Sequence, residues 1–492
     1  MRILYIDIDC ARADHFSCNG YLRKTTPNID RIAAEGVSFT NCHTANSPCL
    51  PSRAALFSGR FGFHNGVVSH YREGERMRPN WVSHIQNRQA PFLVHHLWSN
   101  GYRTTAFSTF ADRHNAWWFT AGFEEFYTPV HTKGQETAAP IAEPALQWLE
   151  RNAESDNWFL DVHFWDVHSF YRVPDEWMTR FAHEPMPPFP TAEAIERNKR
   201  MYGPRTAYNL YPYTEKPPSK YHPEKLETMD DARLLIDGVD GSLAYVDSWI
   251  GKFLDLLKRK GVLEDTAIVV SSDHGDSFGE HGQYCEHGIA NVAVHNIPLI
   301  IRWPGASARG LNDALIYNVD LCPTLCDLLG IRTPTDWDGK PFAAALRGEE
   351  FVGWPYLVYD HGIFTLSRAV RTKDWTLIEM YHPGLYPYDS PFYLHDLRSD
   401  RYQQVNLYPE RMDKFSELCG HLQEWRLEQL RKGGAPDPLE AMIAGGPFVY
   451  YTPEMMDSWL RRQGRDDQAE DLKHRLAGIK DQWWKRDSMF AP

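Results

Sequence analysis

Apolar runs of strand length recur between Arg2 and Arg302, and most are closed by polar or acidic residues. Arg2–Ile8 ends beside Asp7 and Asp9, and Thr266–Ser271 ends just before Asp273. Trp158–Phe164 and Ile297–Arg302 have the same form, and Val37–Phe39 and Arg103–Ser108 are shorter examples. Runs that are apolar on both faces predict buried parallel strands. The intervals between them carry helices with readable ends. Thr26-Pro27-Asn28 opens Ile29–Glu35, which Gly36 stops, and Cys49–Ser58 has Pro51 near its start and Gly59 at its end. Ala90–Asn100 stops at Gly101, and Leu234–Lys260 at Gly261. Proline near the start and glycine at the stop is the usual punctuation of a helix. Strands alternating with helices predict an α/β fold with a large, mostly parallel sheet covered by helices on both faces.

After Gly348 the pattern changes. Tyr356–Tyr359, Ser367–Arg371, Trp375–Met380 and Phe392–Asp396 are short strand candidates separated by turn residues. They predict a small antiparallel sheet, followed by a helix over Pro409–Lys432. A Gly/Pro break at Gly433–Pro438 precedes two further helices, Pro453–Gln463 and Gln468–Trp484. The chain therefore divides into an α/β unit over 1–348, an α+β subdomain over 349–440 and a helical tail over 441–492. The amphipathic tail helices offer an apolar face to a second copy of the chain, a route to a homo-oligomer.

Composition narrows the function. Of 492 residues, 42% are hydrophobic and 24% charged, which is globular rather than disordered. No apolar run approaches the roughly 20 residues a membrane span needs. A net charge of −13 argues against nucleic-acid binding. Eight cysteines in this length are not a disulfide framework. A strand opening at the second residue, with no basic-then-apolar leader, gives a cytoplasmic reading.

In parallel α/β folds ligands collect beyond the carboxyl ends of the strands. The acids Asp9 and Asp273 stand there, and His274 follows directly in Ser271-Ser272-Asp273-His274-Gly275. A carboxylate beside an imidazole at a strand end suits Mg²⁺, Mn²⁺ or Ca²⁺ better than structural zinc. Asp7 shares a strand face with Asp9 by period two and could supply another oxygen. Cys10 is a softer donor. In Cys49-Leu50-Pro51-Ser52-Arg53, Cys49 begins a helix, where backbone N–H groups favour an anion, and Arg53 follows one turn later, facing the same space.

The string Cys49–Gly59 resembles the C-x-P-S-R…[S/T]-G signature of type I, formylglycine-dependent sulfatases. These belong to the alkaline phosphatase superfamily, and the resemblance is to its arylsulfatase and phosphonate monoester hydrolase branch. Ser272–Gly275 with Gly279-Glu280-His281-Gly282 is similar to the family's S-D-H-G…G-x-H-G segment. Asp9–Gly20 resembles its N-terminal metal segment, with Cys10 where an acid or Gln usually stands. Asp320–Ile331 and Tyr393–Leu407 extend the resemblance.

The resemblance implies an alkaline phosphatase-like α/β sandwich with residues 1–348 as its catalytic domain. It implies that a separate formylglycine-generating enzyme oxidises Cys49, and that one hydroxyl of the resulting diol attacks sulfur. It implies one divalent metal (Ca, Mn or Mg) held by Asp9, Asp273 and His274 beside residue 49, with Asp7 or Cys10 completing the set. Arg53 would clamp the ester oxyanions. His168, in Asp166-Val167-His168, resembles the family's sulfuryl-binding His. Thr109 occupies the place of a family Lys, with His114 as a stand-in for the neighbouring His, and His287 replaces a second Lys. His70 is a further loop contributor. With the Lys and His of the Thr109 segment missing, the leaving-group proton would come from His168 or His287. The implied function is hydrolysis of small anionic sulfate esters. The alternatives are phosphonate or phosphate monoester hydrolysis on the same scaffold and, more remotely, a non-catalytic binding protein with unconverted Cys49.

Overall fold

Alternation along the first strand divides the molecule into layers. In the computed structural model, which describes residues 1–70, 72–78, 91–211, 220–433 and 435–483, strand β1 is Arg2–Ile8. The expected helix starts at residue 90 and ends at residue 484 lie outside these residues, as does the rest of the tail. The principal helices are α1 (Pro27–Ala34), α2 (Cys49–Ser58), α3 (Leu93–Ser99), α4 (Ala139–Asn152), α5 (Met229–Arg259) and α6 (Leu321–Leu329). Leu4, Ile6 and Ile8 of β1 enter one core with Ile29 and Ile32 of α1, Trp148 of α4 and Leu243 of α5. Ile3 and Tyr5 enter another with Ala54 and Phe57 of α2, Leu97 of α3 and Leu325 of α6. A strand with two apolar faces thus takes helices on both sides. Helix α4 was not among the helices expected from the sequence, and it contains both Pro140 and Pro144. Pro140 sits in the first turn, where an N–H has no helical partner to lose.

The remaining strands of the large sheet are β2 (Val37–His43), β3 (Arg103–Phe107), β4 (Glu125–Tyr127), β5 (Trp158–Phe164), β6 (Thr266–Ser271), β7 (Asn296–Arg302), β8 (Gly310–Asn312) and β9 (Ile316–Tyr317). Their order is β8-β2-β7-β6-β1-β5-β3-β4, with β9 also on β2. All the pairings are parallel except those of β7, which runs antiparallel to β2 and β6. In the central register Asp7 of β1 lies level with His163 of β5 and Ser271 of β6. The residues following β1 and β6, Asp9 and Asp273, therefore emerge side by side.

A second sheet comprises β10 (Leu357–His361), β11 (Leu366–Arg371), β12 (Trp375–His382) and β13 (Phe392–Asp396), all antiparallel. Asn46–Ser47, just before α2, adds to its edge parallel to β10. The small sheet thereby fixes the segment that leads into Cys49. The tail helices α7 (Pro453–Arg462) and α8 (Asp466–Trp483) pack their apolar face, Met456, Trp459, Leu460 and Leu472, onto Tyr202 and Leu385 of the same chain. The chain's own aromatic and aliphatic side chains cover this face, which the sequence had offered to a second copy. Among the described residues no helix is long and apolar enough to cross a membrane.

Candidate active site

Helix α2 delivers Cys49 to the ends of β1 and β6. Its first turn is tied down by Ser52, whose Oγ donates to the Asp273 carbonyl at 2.7 Å. Its last residue is followed by Gly59 at φ 64°, where a Cβ would stand 2.5 Å from the Trp337 ring. The two small residues of the motif thus hold the helix at both ends.

Arg53 is 1% exposed and is surrounded by acids. Its Nε donates to Asp7 at 2.7 Å, and one terminal nitrogen donates to Asp9 at 2.9 Å and to Asp273 at 2.7 Å. The other terminal nitrogen meets His163 Nε2 at 2.8 Å. This corrects two expectations. Arg53 does not face open space: its N–H groups are taken up by three buried carboxylates rather than left for ester oxyanions. Asp7 stands outside the tight donor group formed by Asp9, Cys49, Asp273 and His274: one oxygen anchors Arg53, and the other, Oδ1, has no hydrogen-bond partner.

Asp9, Cys49, Asp273 and His274 bring four donor atoms within 4.8 Å of one another, all buried. His274 Nε2 lies 3.4 Å from Cys49 Sγ. Cys10 lies beside them, its Sγ 3.3 Å from Asp9 Oδ1 and its N–H on Asp273 Oδ1 at 3.1 Å. Three carboxylates balanced by one guanidinium leave a buried negative charge, and the donor set suits a divalent cation. Burial would raise Asp9, but Arg53 and the hydrogen bond to His163 hold it well below the usual carboxylate range. Burial raises Asp273 well above that range, with Asp9 and Asp7 adding to the rise. Burial also pushes the Cys49 thiol well up, reinforced by Asp9 and Asp273.

The predicted histidines converge on the same space. Burial lowers His274 to about 4. His287 lies against it at a tilt, ring centres 4.4 Å apart, and its Nδ1 bonds Asp276 at 2.8 Å. Burial opposes its charge, but Glu286 and Asp276 prevail and raise it to about 8. His168, lowered to about 3 by burial and Arg113, has Nδ1 on the Ser169 carbonyl at 2.5 Å and Nε2 3.4 Å from Arg113. His70 Nε2 accepts the Leu50 N–H at 3.3 Å, and His114 packs on His70 with ring centres 4.8 Å apart. Thr109 is a correction. It is fully buried, donating to Glu136 and accepting from Trp165 at 2.8 Å, so its hydroxyl is spent within the wall.

Three residues escaped the sequence reading. His163 bridges Arg53 and Ser108 from inside β5, and its signal was available. Asp161 and His163 alternate as polar residues within an apolar strand, on the face turned toward α2. Arg113, on the short helix after β3, lies over Trp165 at 4.6 Å and donates to the Lys133 carbonyl, with no carboxylate paired to it among the described residues. Tyr450 arrives from the tail, its hydroxyl 3.1 Å from His70 Nδ1. No local sequence pattern announces such a long-range contact.

A family model described as Sulfatase matches residues 2–331, and one described as N-sulphoglucosamine sulphohydrolase, C-terminal, matches residues 279–433. The N-acetylglucosamine-6-O-sulfatase of Bacteroides thetaiotaomicron is 25% identical over 507 residues, covering 90% of this chain and 89% of its own. A structure solved in complex with its substrate D-glucosamine-2-N,6-O-disulfate is 20% identical with a TM-score of 0.69, covering 89% of this chain and 99% of its own. The phosphonate monoester hydrolase of Agrobacterium radiobacter is 20% identical with a TM-score of 0.66, covering 88% of this chain and 96% of its own. These likenesses share the alkaline phosphatase-like fold. The sulfatase model spans the strand ends and the helix that carry Asp9, Cys49, Arg53, Asp273 and His274, and the chain belongs to the sulfatase family.

Proposed function

We propose that residue 49, after conversion of its thiol to formylglycine, is the attacking residue of this sulfuric ester hydrolase. As a member of the sulfatase family the protein hydrolyses sulfate esters. The observation that carries the assignment is the position of Cys49: it opens α2 within a buried set of oxygen and nitrogen donors, 3.4 Å from His274. Formylglycine supplies a hydrated aldehyde, an oxygen nucleophile that a thiol is not. Asp9, Asp273 and His274 would hold the divalent cation, which supplies positive charge for the ester's non-bridging oxygens. Cys10 Sγ stands close enough to join them.

The other side chains divide the remaining work. Arg53 keeps Asp7, Asp9 and Asp273 at fixed positions around residue 49. Arg113 stands one helical turn after Thr109, where the resembled family has a lysine, and provides the cation that Thr109 lacks. His287, oriented by Asp276, faces the leaving oxygen and passes it a proton. A formylglycine-generating enzyme acts as the maturation partner.

Two measurements test this reading. Peptide mass at residue 49, after production with the converting enzyme, should show loss of hydrogen sulfide against gain of one oxygen. Turnover of matched aryl sulfate, phosphate and phosphonate esters should favour the sulfate. Equal activity from unconverted protein would remove the formylglycine assignment, and preference for the phosphonate would move the protein to the other branch. Metal analysis of Asp273→Ala should show loss of the bound cation.

A further inference from the structure

One wall beside residue 49 is built partly by the C-terminal tail. After Gly446, which has φ 65° and a Cβ position 2.5 Å from the Phe448 ring, the chain runs through Phe448–Tyr451 and then enters α7. Tyr451 stacks on Phe364 at 5.8 Å, in the turn between β10 and β11. Phe364 in turn lies 6.4 Å from the His287 ring and 6.0 Å from the Tyr450 ring. That turn is itself bound to the catalytic loops, since Thr365 donates to the Gly288 carbonyl at 2.8 Å.

Tyr450 differs from its neighbours in being 53% exposed. Its hydroxyl reaches His70 Nδ1 at 3.1 Å, and His70 Nε2 accepts the Leu50 N–H at 3.3 Å, one residue from the nucleophile position. Because Nε2 is an acceptor, the proton of the neutral ring sits on Nδ1 and is donated to Tyr450. The hydroxyl is thus pinned beside residue 50 while much of the ring stays open at the mouth. An exposed aromatic ring fixed in this way offers a flat apolar surface at little entropic cost, suited to another ring.

We propose that Tyr450 is a specificity-determining residue whose open ring receives a ring of the alcohol half, so that the favoured substrates are sulfate esters of ring-bearing alcohols. The proposal rests on the assignment of residue 49 as nucleophile and adds the substrate class. A short alkyl ester would occupy the sulfate end of the site and leave this surface unused.

The test uses full-length, converted, metal-loaded protein and its Tyr450→Ala and Tyr450→Phe variants. The substrates are 4-nitrophenyl sulfate, galactose 6-sulfate and propyl sulfate. Loss of a stacked ring should raise KM about tenfold for a ring-bearing ester in Tyr450→Ala, with kcat moved less than about twofold. Propyl sulfate should show a KM change below about twofold. Tyr450→Phe, which keeps the ring, should restore most of the lost affinity. A rise confined to the nitrophenyl ester assigns an aromatic alcohol, and one confined to the galactose ester assigns a sugar. An equal KM rise for propyl sulfate, or no rise for either ring ester, overturns the proposal. Were the parent to leave all three sulfates intact, the sulfate reading would fail first. Phenyl and propyl methylphosphonate would then carry the same comparison and still decide Tyr450.

Discussion

Replacing Arg53 by methionine removes the guanidinium that pairs with Asp7, Asp9 and Asp273 while keeping much of the side-chain volume. The parent makes contacts of 2.7, 2.9 and 2.7 Å to the three carboxylates, with each side chain involved 3% exposed or less. At an effective dielectric of about 20, each pair with charge centres about 4 Å apart is worth about 4 kcal/mol. Much of that sum is cancelled by the desolvation of four charges. Removing one partner of a buried network nevertheless costs about 3–5 kcal/mol, because the survivors stay buried without a counter-charge. The assay is equilibrium urea unfolding of chelator-treated protein, followed by near-ultraviolet circular dichroism. Arg53→Met should lose about 3–5 kcal/mol, and added Mn²⁺ or Ca²⁺ should recover part of it by binding the freed carboxylates. A variant within about 1 kcal/mol of the parent would refute the view that Arg53 balances these acids.

His287→Ala should slow esters of poor leaving groups far more than activated aryl esters, steepening the plot of log rate against leaving-group pKa. His168→Ala should keep the parental slope, since its Nδ1 is held by the Ser169 carbonyl and its Nε2 faces Arg113; the reverse pattern would reassign the acid. Arg113→Met should lower kcat/KM for sulfate esters about 10–100-fold, the worth of about 1.5–3 kcal/mol in a charge-assisted contact, and parental kinetics would exclude it from the substrate site. Asp247, which accepts the N–H groups of Asn28 and Ile29 at the start of α1, is raised by burial to about 6. Folding therefore takes up a proton there, and this group's contribution to stability is present in full below about pH 4 and lost as pH rises through about 6, about 3 kcal/mol in all. Asp247→Asn should flatten that part of the stability profile, and an unchanged slope between pH 4 and 6 would place the proton elsewhere.

The pattern of residues along the chain carried the elements and the position of Cys49 at the start of a helix. Strands Arg2–Ile8, Trp158–Phe164 and Thr266–Ser271 have the bounds expected of them, and so does helix Cys49–Ser58. Apolar runs, proline starts and glycine stops act over a few residues and can be read locally. The strand-end rule then picked out Asp9, Asp273 and His274, which the parallel register of β1 and β6 brings together. Residue type and strand position sufficed for these because each side chain leaves the end of a strand.

What the sequence did not decide was which partner each polar group would choose. Arg53 and Asp7 were expected at substrate and metal, yet they bind each other, because a buried guanidinium is drawn to the nearest carboxylates. Thr109 stands at the position where the resembled family has a lysine but turns its hydroxyl to Glu136, while Arg113, one turn later, lies over Trp165 beside His168. The tail helices read as free amphipathic surfaces until Tyr202 and Leu385 covered them. Tyr450 reaches a site whose Cys49 lies 401 positions earlier in the chain. Periodicity reports which face of an element is apolar. Only the packed chain determines what lies against that face, because competition among buried charges and hydrogen bonds is settled between elements far apart in sequence.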